Sequence, residues 1–161
     1  MIARLQRCYP RLQNIQMLGS ELAVATGTDT VNDRIVLLKE MTPIIAQKTI
    51  DVHTHCRDLG VQCPIIHHTH YFDSVTILEC EYVQGQDLMN LMLQNTKLPI
   101  MKIMLQLISH VQDYRKYNLS HLDIKPDNIV WDEDSQTLNI IDFESMRKHP
   151  PVGSNIISNA P

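Results

Sequence analysis

The chain has 161 residues, of which 43% are hydrophobic and 20% are charged, and its formal net charge is -4. This length and composition predict a single soluble domain with its own core, and the lack of a basic excess argues against nucleic acid as a partner. Arg4, Arg7 and Pro10 interrupt the apolar stretch at the amino terminus, and no run approaches a membrane span. We therefore expect an intracellular protein, cytoplasmic or nuclear, with no membrane partner.

The first half of the chain predicts a small antiparallel sheet with one helix. Short apolar stretches at 15–18, 22–25 and 34–38 are separated by turn residues and predict a meander of strands. Thr42 followed by Pro43 predicts a helix that runs to about Asp58 and ends at Gly60. The segments 65–72 and 75–82 are rich in β-branched and aromatic residues and are split by a two-residue turn, which predicts a hairpin.

The second half predicts a long helix followed by a short hairpin. From Pro99, apolar residues at helical spacing predict about five turns with one buried stripe, in which the methionines are core residues. The stripe consists of Ile100, Ile103, Met104, Leu107, Ile108 and Val111. Strands are expected at 129–131 and 138–141 with a polar turn between them, and the residues from Pro150 onward are expected to form a solvated tail.

Two polar segments in the second half carry the residue types that phosphoryl transfer needs. They are His121 to Asn128 and, after the predicted hairpin, Ile141 to Glu144. Phosphoryl transfer depends on positioning and charge stabilisation, with a carboxylate to orient the attacking hydroxyl and oxygen ligands for Mg²⁺. Asp123 fits the first role, and Asn128 and Asp142 fit the second. Lys125 can neutralise charge on the transferred phosphoryl group.

These segments resemble the catalytic loop of eukaryotic-type protein kinases and the metal-binding motif that follows it, with Asp-Phe-Gly changed to Asp-Phe-Glu. Lys125, two places after Asp123, is similar to the Ser/Thr class of these kinases. The resemblance implies an α+β fold, with a small antiparallel β-sheet N-lobe containing one helix and a truncated, mainly helical C-lobe with a catalytic-loop hairpin. It implies one domain over 1–161, divided into an N-lobe at about 13–82, a partial C-lobe at about 86–146 and a tail at 147–161.

A second match lies upstream, where the segment from Ile77 to Leu88 resembles the kinase hinge and the helix after it. Here Cys80 resembles the gatekeeper residue. The strand 35–39 resembles the third kinase strand, whose lysine grips the α- and β-phosphates of ATP. The resemblance assigns nucleotide-binding roles to Gly19, Val24, Lys39, Glu81, Val83, Asp87 and Val130. Glu81 and Val83 would offer backbone groups to adenine, Asp87 would contact ribose or substrate, and Val130 would form the floor of the pocket.

The chain departs from the family pattern in four places. The phosphate loop keeps a single glycine, Gly19, which predicts a weaker grip on nucleotide. The stretch 41–78 contains no glutamate to pair with Lys39, so we expect Asp51 or Asp58 to take that role. Leu122 replaces the arginine that precedes the catalytic aspartate, so any activity would not be switched by a phosphorylated activation segment.

The fourth departure is that the chain ends at Pro161, soon after the Asp-Phe-Glu motif. The helices that follow in the family, which anchor the activation segment and bind peptide substrates, would therefore be absent. The apolar surface that those helices would cover predicts a protein partner or self-association.

The sequence leaves two functions open. The first is an ATP- and Mg²⁺-dependent Ser/Thr protein kinase-like phosphotransferase that acts on a protein substrate. The second is a catalytically dead pseudokinase that binds and inhibits or scaffolds cellular kinases or their substrates. Compact, stripped kinase-like chains of this sort suggest a viral or otherwise reduced genome.

The histidines and cysteines between 53 and 70 are candidates for a zinc site. His and Cys at short separations can ligate zinc, and this region contains His53, His55, Cys56, Cys63, His67, His68 and His70. The predicted helix and strand place His67 and His68 on opposite sides of the sheet, which disfavours a shared tetrahedral site. We therefore expect no zinc site. The four cysteines, including Cys8, show no framework spacing, and in the reducing compartment expected here this predicts free thiols.

Overall fold

The computed structural model describes residues 5–6, 9–18 and 24–150. A five-stranded antiparallel sheet occupies the first half of this region. Its strands are β1 (Leu12–Met17), β2 (Val24–Asp29), β3 (Arg34–Met41), β4 (Ile66–Tyr71) and β5 (Thr76–Glu81). Their order in the sheet is β1-β2-β3-β5-β4. The predicted meander and hairpin are confirmed.

The register of β2 explains why this strand runs further than its apolar residues predicted. Val24 pairs with Lys39, and the pairing continues without a break to Asp29 opposite Arg34. Ladder hydrogen bonds to β3 thus hold a segment with low intrinsic strand propensity, including Gly27, because pairing and burial outweigh propensity.

The two faces of this sheet are buried differently. On the outer face, Ala25, Val36, Leu38 and Ile77 are fully buried, and Leu5 and Leu12 pack against them. On the inner face, Leu78 and Cys80 pack against Ala46, which lies in the helix between β3 and β4. Successive strand residues point to opposite faces, so Lys39 points inward with Leu78, its partner across the strands.

The predicted first helix is confirmed as α1 (Pro43–Asp58). Thr42 caps it, because its hydroxyl accepts a hydrogen bond from the Ile45 N–H at 3.4 Å. The chain leaves the helix through Gly60, whose φ of +71° lies in the left-handed region that glycine adopts without strain.

The rest of the described chain forms two further helices and two small sheets. The elements are β6 (Gln86–Asp87), α2 (Leu88–Leu93), α3 (Ile100–Lys116), β7 (Leu119–Ser120), β8 (Ile129–Asp132), β9 (Thr137–Ile140) and β10 (Arg147–Lys148). β8 pairs with both β6 and β9, and β10 pairs with β7. Their core includes Ile103, Tyr114, Trp131, Leu138 and Phe143, all nearly or fully buried.

The predicted buried stripe on α3 is wrong in part. Ile103 is 3% exposed, but Ile100 is 59%, Met104 is 46% and Ile108 is 47% exposed. The spacing of apolar residues defines the amphipathic face of a helix but not whether another element covers it. In the described chain α3 packs on β7 and β9 through one side, and no described element covers its other apolar side. None of the described helices has the length and apolar character needed to cross a membrane.

Candidate active site

A cleft of about 360 Å³ lies between the inner face of the large sheet and the segments that follow α3. Its lining includes Leu18, Leu37, Lys39, Cys80, Val130 and Asp142. The volume falls in the range of about 300–1,000 Å³ that small-molecule and cofactor sites occupy.

The catalytic-loop residues form a hydrogen-bonded unit beside this cleft. The Asn128 amide nitrogen donates to the Asp123 carbonyl oxygen at 2.9 Å and to its carboxylate Oδ2 at 2.8 Å. Lys125 Nζ lies 2.9 Å from the same Oδ2. Pro126 begins a short 3-10 turn, closed by a hydrogen bond from the Asn128 N–H to the Lys125 carbonyl oxygen, which brings the three side chains together.

The charges of this unit favour an ionised Asp123. The hydrogen bond from Lys125 and that from Asn128 lower the pKa of Asp123 below its ordinary value. The same contact raises the pKa of Lys125. At neutral pH Asp123 is therefore a carboxylate acceptor, and Lys125 is a cation.

Asp142 is positioned against this loop by its neighbours in the chain. The Ile141 N–H donates to the Asn128 carbonyl oxygen at 3.0 Å. Asp142 adopts a left-handed conformation, with φ 65° and ψ 63°, and precedes a 3-10 turn at Phe143–Ser145. The Phe143 ring is fully buried and packs edge-on against His53 and His121, at centroid distances of 5.6 and 4.9 Å. This anchor fixes the turn that carries Asp142.

Lys39 contacts two carboxylates in the same turn. Its Nζ lies 2.8 Å from Asp142 Oδ1 and 3.1 Å from Glu144 Oε1. Burial works against the charged form, but Asp142 and Glu144 outweigh it, so the pKa of Lys39 is raised. The expectation that Asp51 or Asp58 pairs with Lys39 is wrong, because both are exposed on α1 and Glu144 takes that place.

His121 braces the loop from the core side. Its Nε2 donates to the Ile141 carbonyl oxygen at 3.0 Å, and its ring packs against Phe143. Burial lowers the pKa of His121 more than that hydrogen bond and nearby carboxylates raise it, so the ring is neutral at pH 7. These contacts describe a structural residue rather than a base that exchanges protons with solvent.

The hinge residues line the opposite part of the cleft. Glu81 and Val83 both line it, but the Glu81 N–H already donates to the Ile65 carbonyl oxygen at 2.7 Å. The Glu81 N–H is therefore not available for the predicted contact with adenine. Gly85 has φ +120°, and a Cβ there would lie 2.4 Å from the Trp131 carbonyl oxygen, so the hinge requires glycine at this position.

The remaining predicted nucleotide residues have different environments. Val130 is buried and lines the cleft. Val24 stands opposite Lys39 in the β2–β3 ladder and is partly buried. Asp87 lines the cleft, but both of its carboxylate oxygens accept hydrogen bonds from Asn90, which makes it the N-cap of α2. Gly19 lies outside the described residues.

Sequence reasoning assigned no role to several residues that the structure places at or beside the cleft, among them Leu18, Asp127 and Glu144. Leu18 directly precedes Gly19 of the predicted phosphate loop, and Asp127 lies within the segment His121 to Asn128. Only their positions in space show that both line the cleft. Glu144 carried a signal, since it stands where the kinase motif has glycine while α1 lacks a glutamate.

Two of the residues considered as zinc ligands are engaged in other contacts. His53 Nδ1 donates to the Pro64 carbonyl oxygen at 2.7 Å, and Cys56 Sγ lies 3.3 Å from Met146 Sδ. Across the part of the chain that the structure describes, no three His, Cys, Asp or Glu side chains are placed to share a metal ion. Cys56, Cys63 and Cys80 are free thiols, and burial raises the pKa of Cys80 to about 12.

The two-lobed arrangement around this cleft is a protein kinase-like fold. The structure is similar to that of the Cydia pomonella granulovirus kinase PK-1, with a TM-score of 0.70 and 19% sequence identity over 91% of this chain and 56% of that one. At this identity the likeness shows the fold. The recognition of a kinase-like, α+β chain is thus confirmed.

Sequence comparison gives two curated Ser/Thr kinases as relatives. The chain is 32% identical over 124 residues to the serine/threonine-protein kinase cds1 of Schizosaccharomyces pombe. It is 25% identical over 134 residues to the probable serine/threonine-protein kinase HSL1 of Saccharomyces cerevisiae. The matches span 70% and 73% of this chain but only 25% and 9% of those proteins. No family model matches the chain.

Proposed function

We propose that the chain is an ATP- and Mg²⁺-dependent phosphotransferase of the protein Ser/Thr kinase type. One observation carries the proposal: residues far apart in sequence form a connected network beside one cleft. Lys39 contacts Asp142, which is 103 positions further along the chain. Asp142 follows Ile141, which pairs with Asn128, and Asn128 binds Asp123.

The donor set fits a Mg²⁺–nucleotide complex. Mg²⁺ in phosphoryl-transfer sites takes oxygen ligands, commonly one or two from the protein and the rest from phosphates and water. Asp142 offers a carboxylate, and the two hydrogen bonds of the Asn128 side chain use its nitrogen. We therefore assign Asn128 Oδ1 and the Asp142 carboxylate to the metal, which when bound neutralises phosphate charge.

The remaining roles follow from the contacts in the catalytic loop. Lys125 and Asn128 both bind Asp123 Oδ2, so we assign Asp123 Oδ1 to the substrate hydroxyl. Lys125 is 47% exposed and can reach a phosphoryl group in front of it. Lys39 holds the α- and β-phosphates of the nucleotide.

The adenine ring would occupy the apolar part of the same cleft. Val130 lies on β8, Leu37 and Cys80 lie on the large sheet, and Leu18 directly follows β1. The Glu81 carbonyl oxygen and the backbone of Val83 supply the polar contacts. An apolar slot with a few fixed polar groups is what small planar ligands require.

ATP binding tests the proposal directly. We expect calorimetry to show binding by the wild type that depends on Mg²⁺ and is lost in Asp142→Asn. Asp73→Asn, in the exposed turn between β4 and β5, is the matched control and should bind like the wild type. Transfer of labelled phosphate to a mixed Ser/Thr peptide pool should fall by on the order of 10²–10⁴-fold in Asp123→Ala.

Absence of binding by the wild type at millimolar ATP would contradict the proposal. The chain would then be a non-catalytic protein of kinase-like fold, and the pseudokinase that binds cellular kinases or their substrates would remain. If the wild type binds ATP but transfers no phosphate, the chain is likewise not a phosphotransferase.

A further inference from the structure

Lys39 draws both of its carboxylate partners from one short segment. Asp142 and Glu144 lie at 2.8 and 3.1 Å from its Nζ, and their side chains are 34% and 36% exposed, against 20% for Lys39. The turn is set by buried Phe143, which lies between the two acidic residues and points into the core. With Phe143 anchored in the core, Asp142 and Glu144 on either side of it are held in contact with Lys39.

Helix α1 supplies no such partner. Its residues on the cleft are Thr49 and His53, and neither is a carboxylate. Thr49 is almost fully buried, and its hydroxyl donates to the Ile45 carbonyl oxygen at 2.9 Å. Asp51, one of the two acidic residues of the helix, is exposed and accepts a hydrogen bond from Gln47.

We infer that Glu144 is a positioning residue that holds Lys39 for the phosphates of ATP, in place of a glutamate on α1. The inference rests on the proposed function. Asp142 is the assigned metal ligand, so its carboxylate is shared between the metal and Lys39 in the working site. Glu144 has no such second assignment and is the carboxylate that keeps the ammonium in place.

This pairing determines which segment of the chain controls the position of Lys39. A lysine paired with a helix is released when the helix moves, whereas a lysine paired with residues 142–144 is tied to the segment that carries the metal ligand. Lys39 and Asp142 therefore form one unit, and changes to the exposed side of α1 have no route to it through an ion pair.

The test compares ATP with adenosine, which lacks the phosphates. We expect Glu144→Gln to weaken binding of ATP with Mg²⁺ by about tenfold, the effect of losing one charge-assisted hydrogen bond. Adenosine affinity and the thermal midpoint should match those of the wild type. Asp51→Asn and Asp58→Asn, which remove the carboxylates of α1, should bind both ligands normally.

A double-variant cycle checks that Glu144 acts through Lys39. In a Lys39→Met background, adding Glu144→Gln should cause no further loss of ATP affinity, because the lysine it positions is gone. Effects of the two changes that simply add would overturn the inference.

The other outcomes are also decisive. Equal loss of ATP and adenosine in Glu144→Gln would show a role in the shape of the cleft, and unchanged or tighter ATP binding would show no positioning role; either result overturns the inference. A wild type that binds neither ligand instead removes the proposed function itself. The two failures are thus told apart by the wild type.

Discussion

The large sheet carries an ionic cluster on each face, and the two differ in how closed they are. The outer cluster, on the face away from the cleft, consists of Arg11, Asp29, Arg34, His70 and Glu79. The cleft cluster consists of Lys39, Asp142 and Glu144. Glu79 on β5 pairs with Leu38 on β3, and Leu38 is the residue directly before Lys39. Because successive strand residues point to opposite faces of the sheet, Glu79 and Lys39 lie on opposite faces, and so do the two clusters.

In the outer cluster the carboxylates are saturated by partners within the protein. Asp29 and Glu79 have fully buried side chains, and Arg11 binds both. Asp29 also accepts hydrogen bonds from Val31 and Asn32. Because the carboxylates of this cluster are buried and already paired within the protein, they are not available to a ligand. We therefore expect the cluster to affect the stability of the folded state.

In the cleft cluster about a third of each carboxylate side chain remains exposed. Lys39 and Asp142 line the cleft of about 360 Å³. Concentrated charge at the edge of a cleft is typical of a functional site. The comparison teaches that one sheet separates a fully paired, buried ionic cluster from a cluster that stays accessible at the cleft.

The largest effect on stability is expected from a substitution that breaks the outer cluster. Glu79→Gln leaves Arg11 without one of its two buried carboxylates, and we expect the free energy of unfolding to fall by about 3 kcal/mol. Urea denaturation measures this, with exposed Glu133→Gln as the control that should stay within about 0.5 kcal/mol of the wild type. Folded Glu79→Gln should keep its ATP affinity. A loss of stability below about 1 kcal/mol would mean that the outer cluster is not stabilising.

A smaller effect is expected from acid. Burial raises the pKa of Asp29, but hydrogen bonds from Asn32 and Arg11 outweigh this effect and lower it. Burial likewise raises the pKa of Glu79, and hydrogen bonds from His70 and Arg11 outweigh it there. Both pKa values therefore lie below the ordinary values of 3.8 and 4.5. The stabilisation is fully present above the ordinary values and is lost as the pH falls through the lowered ones.

Thermal melting at a series of pH values checks this prediction. The midpoint should hold between pH 7 and about pH 5 and then fall steeply below about pH 4. Glu79→Gln should show a shallower fall, since one of the two linked carboxylates is absent. The same slope in both proteins would place the acid sensitivity outside the outer cluster.

Much of the fold followed from local signals in the sequence. Thr42 and Pro43 marked the start of α1 because capping and a fixed φ are local effects. The catalytic-loop motif placed Asp123 and Asn128 together because a short turn joins them. The β4–β5 hairpin followed from two strand-like runs and a turn.

The errors came from contacts between distant segments. The stripe on α3 was assigned to the core, but periodicity does not reveal which face has a neighbour, and Met104 is exposed. The partner of Lys39 was sought on α1 and lies at Glu144 instead. Two departures from the kinase pattern, a missing helix glutamate and a glutamate in place of glycine, were interpreted separately although together they indicate a relocated carboxylate.

The smallest effect on stability is expected where the effect on ligand binding is large. Lys39→Met removes the cation of the cleft cluster, but its ion pairs are partly exposed and screened, so we expect a change in unfolding free energy of about 1 kcal/mol or less. ATP affinity should nevertheless fall, because the phosphates lose their cation. Lys48→Met, on the exposed side of α1, is the control for both measurements. If Lys39→Met cost as much stability as Glu79→Gln, the cleft cluster would be a second structural cluster, since its charges would then be needed for folding and not held for a ligand.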